Sequence, residues 1–306
     1  MKKIAFKICI ATGIFLLLCN QSKTQNVGIG TSNPSALLDV VGGDAKINGL
    51  LIGRGGGNIL SNVSMGDSAL INNISGTDNT AIGNKAMFSN ISGGVNVAVG
   101  RLSLHNNLTG FDNIAVGGQA LFANDSGSIN TAVGDWALLN NTKGNYNTSV
   151  GGSSLKTNTT GSGNTSVGLS SLIYTSGGNY NTALGFDAGV SNTSGYNNTF
   201  IGAFAEGTVG NLANATAIGY NAKVSGSNSF VIGGTGSDAV NVGIGISAPL
   251  ERLQINGAIK ITNGAYSGIS NNAITPVPAG GAGSIIFYET HFFGWNGTAW
   301  KQLDNP

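Results

Sequence analysis

From Asn62 to Gly219 the chain repeats every seventeen residues, and that period constrains its fold more than any other feature. The marker is a five-residue phrase ending in glycine. NVSMG closes at Gly66, NTAIG at Gly83, NVAVG at Gly100, NIAVG at Gly117 and NTAVG at Gly134. NTSVG follows at Gly151 and again at Gly168, then NTALG at Gly185, NTFIG at Gly202 and ATAIG at Gly219. Ten glycines stand on one ruler without a slip. A period of this length marks a solenoid, in which each coil buries its apolar face against the next.

Counted from the marker glycine, each column has a character. The third position is small (Ala69, Ala86, Ser103, Ala120), the fourth is Leu70, Met87, Leu104, Leu121, Leu138, Leu155 or Leu172, and the tenth is glycine from Gly76 to Gly195. The thirteenth is asparagine from Asn79 to Asn198, and Val or Ile precedes most marker glycines. The marker phrase reads as a short strand, with β-branched residues bounded by Asn and Gly. The Ala-Leu arm reads as either an extended arm or one helical turn ending at glycine. One coil alone buries too few apolar side chains to offset the entropy of ordering it, so stacking must supply the rest. The fifth column is often apolar too (Ile71, Phe88, Phe122, Leu139, Ile173). In an extended arm, neighbours point to opposite faces, so the second apolar face calls for a partner subunit.

Composition agrees with close stacking. Fifty glycines, with 9% charged and 41% hydrophobic residues, suit neither an ordinary globular enzyme nor a disordered chain. Residues 1–25 read as a signal peptide, with Lys2, Lys3 and Lys7 ahead of an apolar run from Ile8 to Cys19 that is short for a membrane span. Removing that leader takes four lysines, leaving ten basic against thirteen acidic residues. No basic face for nucleic acid is therefore expected. Cys9 and Cys19, the two cysteines, both lie in the leader, so no disulfide framework and no Cys-based metal site follow. Lipid attachment at Cys19 is an alternative to plain cleavage, against which Leu18 stands where a small residue is preferred. The expected location is extracellular or at the outer cell surface, with no integral span in the mature chain.

Two related segments bracket the array: NVGIGTSNPSALLDVVG at 26–42 and NVGIGISAPLERLQING at 241–257. Pro34 and Pro249 break a strand in each, and a Leu-x-Val or Leu-x-Ile run restarts one. These read as caps or adaptors (26–61 and 241–278) around a shaft at 62–240. They resemble segments that open and close repeat regions in tail-fibre-like bacterial surface proteins. At 279–306, two aromatic runs flank Asn296-Gly297, a hairpin signal, and resemble the small β-tip of such proteins.

Within residues 214–233, NATAIGYNAKVSGSNSFVIG, the step shortens to fourteen. This stretch resembles the head repeats of trimeric autotransporter adhesins. That family's head is a left-handed parallel β-roll built as a homotrimer and used for surface adhesion. The close match covers about twenty residues, and the seventeen-residue units depart from it by an inserted Asn/Ser/Gly-rich loop. No coiled-coil stalk or anchor segment is read after it, so autotransport itself is not implied.

Catalysis needs convergent, tuned polar groups, and the pattern offers none. His105 and His291 are far apart, His105 fills an apolar column, and the acidic residues show no paired spacing. Asp67 and Asp135 read as turn caps, and GRGGG at Gly53–Gly57 lacks the lysine of a phosphate loop. No catalytic residue, metal site or cofactor is expected. Asn-x-Ser/Thr triplets at Asn73, Asn90, Asn107 and Asn158 follow from repeat composition, and an asparagine ladder is the better account. Thr80, Thr131, Thr148, Thr165, Thr182 and Thr199 share a column with an ice-binding look, but Val97 and Ile114 interrupt it and ladder packing explains it better.

Aromatic residues break the monotony at Phe111, Trp136, Tyr146, Tyr180, Phe186, Tyr196, Phe204 and Tyr220. Exposed rings are platforms for sugars or protein partners; padding of a subunit seam is the competing and favoured account. The candidate ligand-binding residues are Tyr146 and Tyr180, two coils apart in one column, and Trp295 and Trp300 in the C-terminal hairpin. The expectation is therefore a mainly β chain: a parallel β-solenoid of seventeen-residue coils, homotrimeric, with a β-hairpin tip. Its expected role is a non-catalytic, adhesin-like surface fibre engaging a glycan or a protein. The alternatives are a phage-derived tail-fibre-like receptor-binding protein and, third, a solenoid carbohydrate-active enzyme, which needs clustered carboxylates.

Overall fold

The computed structural model describes residues 27–29, 31–36, 38–40, 44–256, 285–288, 291–295 and 300–302. The segment read as a signal peptide (1–25, with Cys9 and Cys19), the Asn296-Gly297 turn signal and all of 257–284 lie outside these. The chain divides into two compact units, up to Val240 and from Asn241.

The first unit is a parallel β-solenoid. Each marker phrase forms a three-residue strand, such as Thr80–Ile82, Val97–Val99 and Thr199–Ile201. Eleven of these, from Val63–Met65 to Phe230–Ile232, pair in parallel in one sheet. Register follows the sequence ruler: Thr148 faces Thr165 and Val150 faces Val167. The shortened step at the end still pairs, with Thr216 opposite Phe230. At the other end the sheet gains two antiparallel strands, Ala45–Ile47 and Leu50–Gly53. Asn48 and Gly49, both at positive φ, turn that hairpin. The Gly55–Gly57 backbone then lies across the first coil, with Gly56 N donating to Leu70 O at 2.8 Å. It is a turn segment, as its sequence implies.

Within each strand from Val63–Met65 to Thr216–Ile218 the middle residue faces inward and is buried, as at Ala81, Ala98, Ala132 and Ser149. Its neighbours face out. The interior is narrow, hence the small residues. At the marker glycines (φ +117 to +137) successive coils touch through backbone: a Cβ on Gly83 would stand 2.5 Å from Gly100 O. No side chain fits there.

The arm is neither the strand nor the helical turn that its sequence suggests. Over most coils it is a chain of turns with two residues in the left-handed region. One is the second position (Lys85, φ 54; Ser153, φ 57) and the other the fourth (Leu104, φ 48; Leu155, φ 48). A bulky residue pays of order 1–2 kcal/mol there. Stacking holds it: Leu104 N donates to Ala120 O at 2.9 Å, and Asn106 N to Phe122 O at 3.0 Å, in the next coil. The fourth side chain is wholly buried while the fifth is partly exposed. Only at the last coils does the arm become strand, Glu206–Gly207 beside Lys223–Val224, with a Glu206–Lys223 ion pair.

Two asparagine columns run inside the shaft. In the seventh column, Asn90 Nδ2 donates to Asn73 Oδ1 (2.7 Å) and Asn107 Nδ2 to Asn90 Oδ1 (2.8 Å), continuing to Asn158. In the thirteenth, Asn96 Nδ2 donates to Gly110 O (2.9 Å) and Asn96 N to Asn79 Oδ1 (3.1 Å). The ladder is as expected, and it buries the amides of Asn73, Asn90, Asn107 and Asn158, which are therefore not glycan acceptors in the folded shaft.

The second unit holds a parallel pair, Val242–Ile244 with Leu253–Ile255. Its counterpart near the N-terminus is Val27–Ile29 with Leu38–Val40. Both copies of the bracketing repeat thus break at proline and restart at the Leu-x-Val or Leu-x-Ile run. A three-stranded antiparallel sheet follows: Ile285–Tyr288, His291–Trp295 and Trp300–Gln302.

Candidate functional surfaces

The aromatic residues that interrupt the columns divide between two corners of the coil. One corner is at the eleventh and twelfth positions, after the buried tenth-column glycine, and carries Phe111, Tyr146, Tyr180 and Tyr196. There Tyr146 and Tyr180 are 64% and 68% exposed, and both stand in the left-handed region. Backbone rungs fix them: Tyr146 N donates to Ser128 O and Tyr180 N to Ser162 O. Gly163 occupies the same column between them. A Cβ there would lie 2.5 Å from Tyr180 Cδ1 and 2.7 Å from Cε1, so this edge of the ring lies against bare backbone. The column therefore presents tyrosine, glycine and tyrosine, spanning two strand spacings, about 10 Å.

Beside them the eleventh column is a polar rail. Ser128 N donates to Asn145 Oδ1 (2.8 Å), Asn145 N to Ser162 Oγ (3.0 Å) and Ser162 N to Asn179 Oδ1 (2.8 Å). The rail is fixed by its own hydrogen bonds, so it holds the corner rigid. Sequence reading did not single it out, although Ser and Asn alternate there at the same seventeen-residue step.

The other corner, at the first two positions, carries Trp136, Phe186, Phe204 and Tyr220. Phe186, Phe204 and Tyr220 form an edge-to-face series with centroids 5.2 and 5.9 Å apart. Trp136 donates to Gln119 Oε1 (2.8 Å), and Lys156 Nζ sits 4.6 Å from its ring. These rings contact one another and their neighbours, which ties them up more than the tyrosine corner. His105, in the fifth column, is sandwiched between Phe88 and Phe122 at 5.2 and 5.1 Å. It is a packed histidine, as its column implies.

Asp67 and Asp135 do not cap their own turns. Asp67 accepts from Asn84 Nδ2 (3.1 Å) and Asp135 from Gly118 N (2.6 Å), each joining adjacent coils. The threonines of the marker strands point outward and make no side-chain hydrogen bond within the protein, so their column stacks without a hydroxyl ladder. Four buried serines, Ser149, Ser154, Ser166 and Ser171, bond to one another and to carbonyls, with no base beside them. Among the described residues no three of His, Cys, Asp or Glu stand together as a metal would need, and no helix is long and apolar enough to cross a membrane.

Trp295 and Trp300 are direct cross-strand partners in the C-terminal sheet, and the Phe287–Phe292 and Tyr288–His291 pairs stand at the opposite end of the shared strand His291–Trp295. The structure thus brings Tyr146 together with Tyr180, and Trp295 with Trp300, in two separate units. Comparison with family models, with curated proteins and with solved structures finds no match.

Proposed function

We propose that this chain is a non-catalytic fibre, exported to the cell surface or beyond, whose shaft assembles as a homotrimer and binds an extended glycan. The observation that carries the glycan reading is the pair of exposed rings in one column, Tyr146 and Tyr180, the second with its ring edge against Gly163. An exposed ring on a backbone fixed by inter-coil hydrogen bonds is a platform for stacking on a sugar ring, at about 1 kcal/mol per contact. Two such platforms on a rigid scaffold give weak sites, which three copies strengthen through multivalency. The adhesin-head resemblance of residues 214–233 supports the same reading.

A second reading rests on the other unit. The cross-strand pair Trp295 and Trp300, in a sheet that also pairs Phe287 with Phe292 and Tyr288 with His291, suits a tail-fibre-like receptor-binding tip. A glycan and cell-surface binding screen separates the two. Its samples are the whole chain, the chain without residues 279–306, and a Tyr146→Ala/Tyr180→Ala variant. Loss in the double variant alone supports the shaft. Loss in the truncation alone supports the tip. Binding unchanged in both discards both placements.

A further inference from the structure

A longer apolar column than the fifth, from which a partner was expected and which His105 and Lys156 interrupt, runs along the outward face of the parallel sheet. Its sixteenth-position column reads Met65, Ile82, Val99, Val116, Val133, Val150, Val167, Leu184, Ile201, Ile218 and Ile232 without one polar interruption. The fourteenth column beside it holds Val63, Val97, Ile114, Phe230 and seven threonines, none of them charged. All these side chains are partly or fully exposed; Leu184 reaches 49%. We propose that this face is where a second copy of the chain packs, with its shaft alongside and coil against coil.

Two arguments select a second copy over other occupants. The first is area. Eleven strands at about 4.8 Å, three residues wide, give a footprint of roughly 500 Å² per chain. The pair then buries on the order of 1,000 Å², the level at which a specific interface becomes stable. The second is period. The face is ridged at one strand spacing along its whole length, because every coil repeats the same two outward residues. Only a surface ridged at the same spacing can interdigitate over the full length, and another copy of this shaft has it by construction. An isolated stripe of this kind on a monomer is, by contrast, an aggregation liability.

This inference rests on the proposed self-assembly and adds which surface does it. The test places lysines on the stripe in the full chain: Val133→Lys, Val150→Lys and Val167→Lys together. A matched control changes the other exposed apolar column, Ile74→Lys, Ile91→Lys and Leu108→Lys, which ends at Asp125. Light scattering should show wild type and control as oligomers. The stripe variant should fall to the mass of a single chain, 30.7 kDa, with unchanged circular dichroism. A monomeric wild type overturns both the assembly and this assignment, including the case where it binds phosphatidylcholine vesicles instead. An oligomer that survives the stripe lysines overturns the assignment alone. If the stripe variant does not fold, Thr165→Cys and Thr160→Cys decide, each in a Cys9→Ala/Cys19→Ala background with a short bismaleimide. Covalent dimers through position 165 and not 160 support the stripe, and their absence at 165 overturns it.

Discussion

Phe200 fills the room that Gly189 leaves. A Cβ on Gly189 would stand 2.7 Å from Phe200 Cδ2 and equally close to Leu172 Cδ2. In the coils before it, the fourth column carries Leu or Met, and the fifteenth carries Ala or Ser. Here the sizes are exchanged, Gly for Leu and Phe for Ala, and Phe200 remains 1% exposed. The core volume per coil is conserved while its owner changes. Phe200→Ala should therefore open a cavity and cost about 3–5 kcal/mol. Gly189→Leu should clash and cost about 1–3 kcal/mol. The double variant recreates the standard coil, and its loss should be smaller than the sum by about 2 kcal/mol. Thermal melts of the four proteins check this; additive costs would show that the two positions do not share space.

Asn158 and Thr175 show what happens when the buried ladder skips a rung. Asn158 donates to Asn141, but its Oδ1 has no partner, because the next coil offers Thr175 where a further asparagine would present its amide. Thr175 instead donates to Asn192 O at 3.0 Å. A buried acceptor left unpaired costs about 1–3 kcal/mol. Thr175→Asn should supply the missing donor to Asn158 and accept from Asn192 Nδ2, raising stability by about 1 kcal/mol. A lower melting temperature for this variant would mean that the threonine methyl's packing outweighs the rung.

Much of this architecture could be read from period alone. The strands fall on the marker phrases and the bracketing repeats restart after proline, because β-branched runs and prolines act locally. His105 was legible as packed from its column. The arm was not. Ala-Leu-x-Asn is locally compatible with strand or helical turn, whereas Leu104 sits at φ 48, a value few leucines adopt. That conformation is imposed by hydrogen bonds to the next coil, which local propensity does not contain. The same holds for Tyr180: its exposure could be guessed, but its ring's close approach to the backbone depends on Gly163, a residue of the coil before it. The outward apolar stripe was visible as Val and Ile before each glycine. Its direction became clear only once the small middle residue of each strand was placed inside.

Register should govern stability more than length does. Every coil bonds to its neighbours at fixed columns, as in Asn79 N to Asn62 Oδ1 at 2.8 Å and Thr80 N to Asn96 O at 2.8 Å. Deleting residues 84–100 joins Gly83 to Arg101 and brings Asn113 into the place of Asn96, with every column intact. That protein should fold into a shaft shorter by about 4.8 Å. Deleting Asn96 alone removes a buried rung and flips the strand that follows it to the wrong face. Its melting temperature should fall well below that of the longer deletion. Equal melting temperatures would contradict the column model.

Gly163 offers the sharpest test of the tyrosine corner, because it alters a ring's position without removing the ring. The residue has φ +70, where alanine is disfavoured by about 1 kcal/mol. Its added Cβ would stand 2.5 Å from Tyr180 Cδ1, so the ring must lift off the backbone. The Tyr180 rung to Ser162 O is a main-chain bond and should persist, leaving the coil folded. If the ring in this position is what a glycan stacks on, Gly163→Ala should weaken binding about fivefold, the equivalent of about 1 kcal/mol, although both tyrosines remain. Tyr180→Ala should weaken it by a similar factor. Ser153→Gly, at a left-handed position on the opposite corner, should leave binding unchanged and raise the melting temperature slightly by relieving strain. Titration of one glycan hit from the screen against the three variants supplies the comparison. Wild-type affinity in Gly163→Ala, with Tyr180→Ala impaired, would show that the ring binds in another orientation. Wild-type affinity in both would remove Tyr180 from the site.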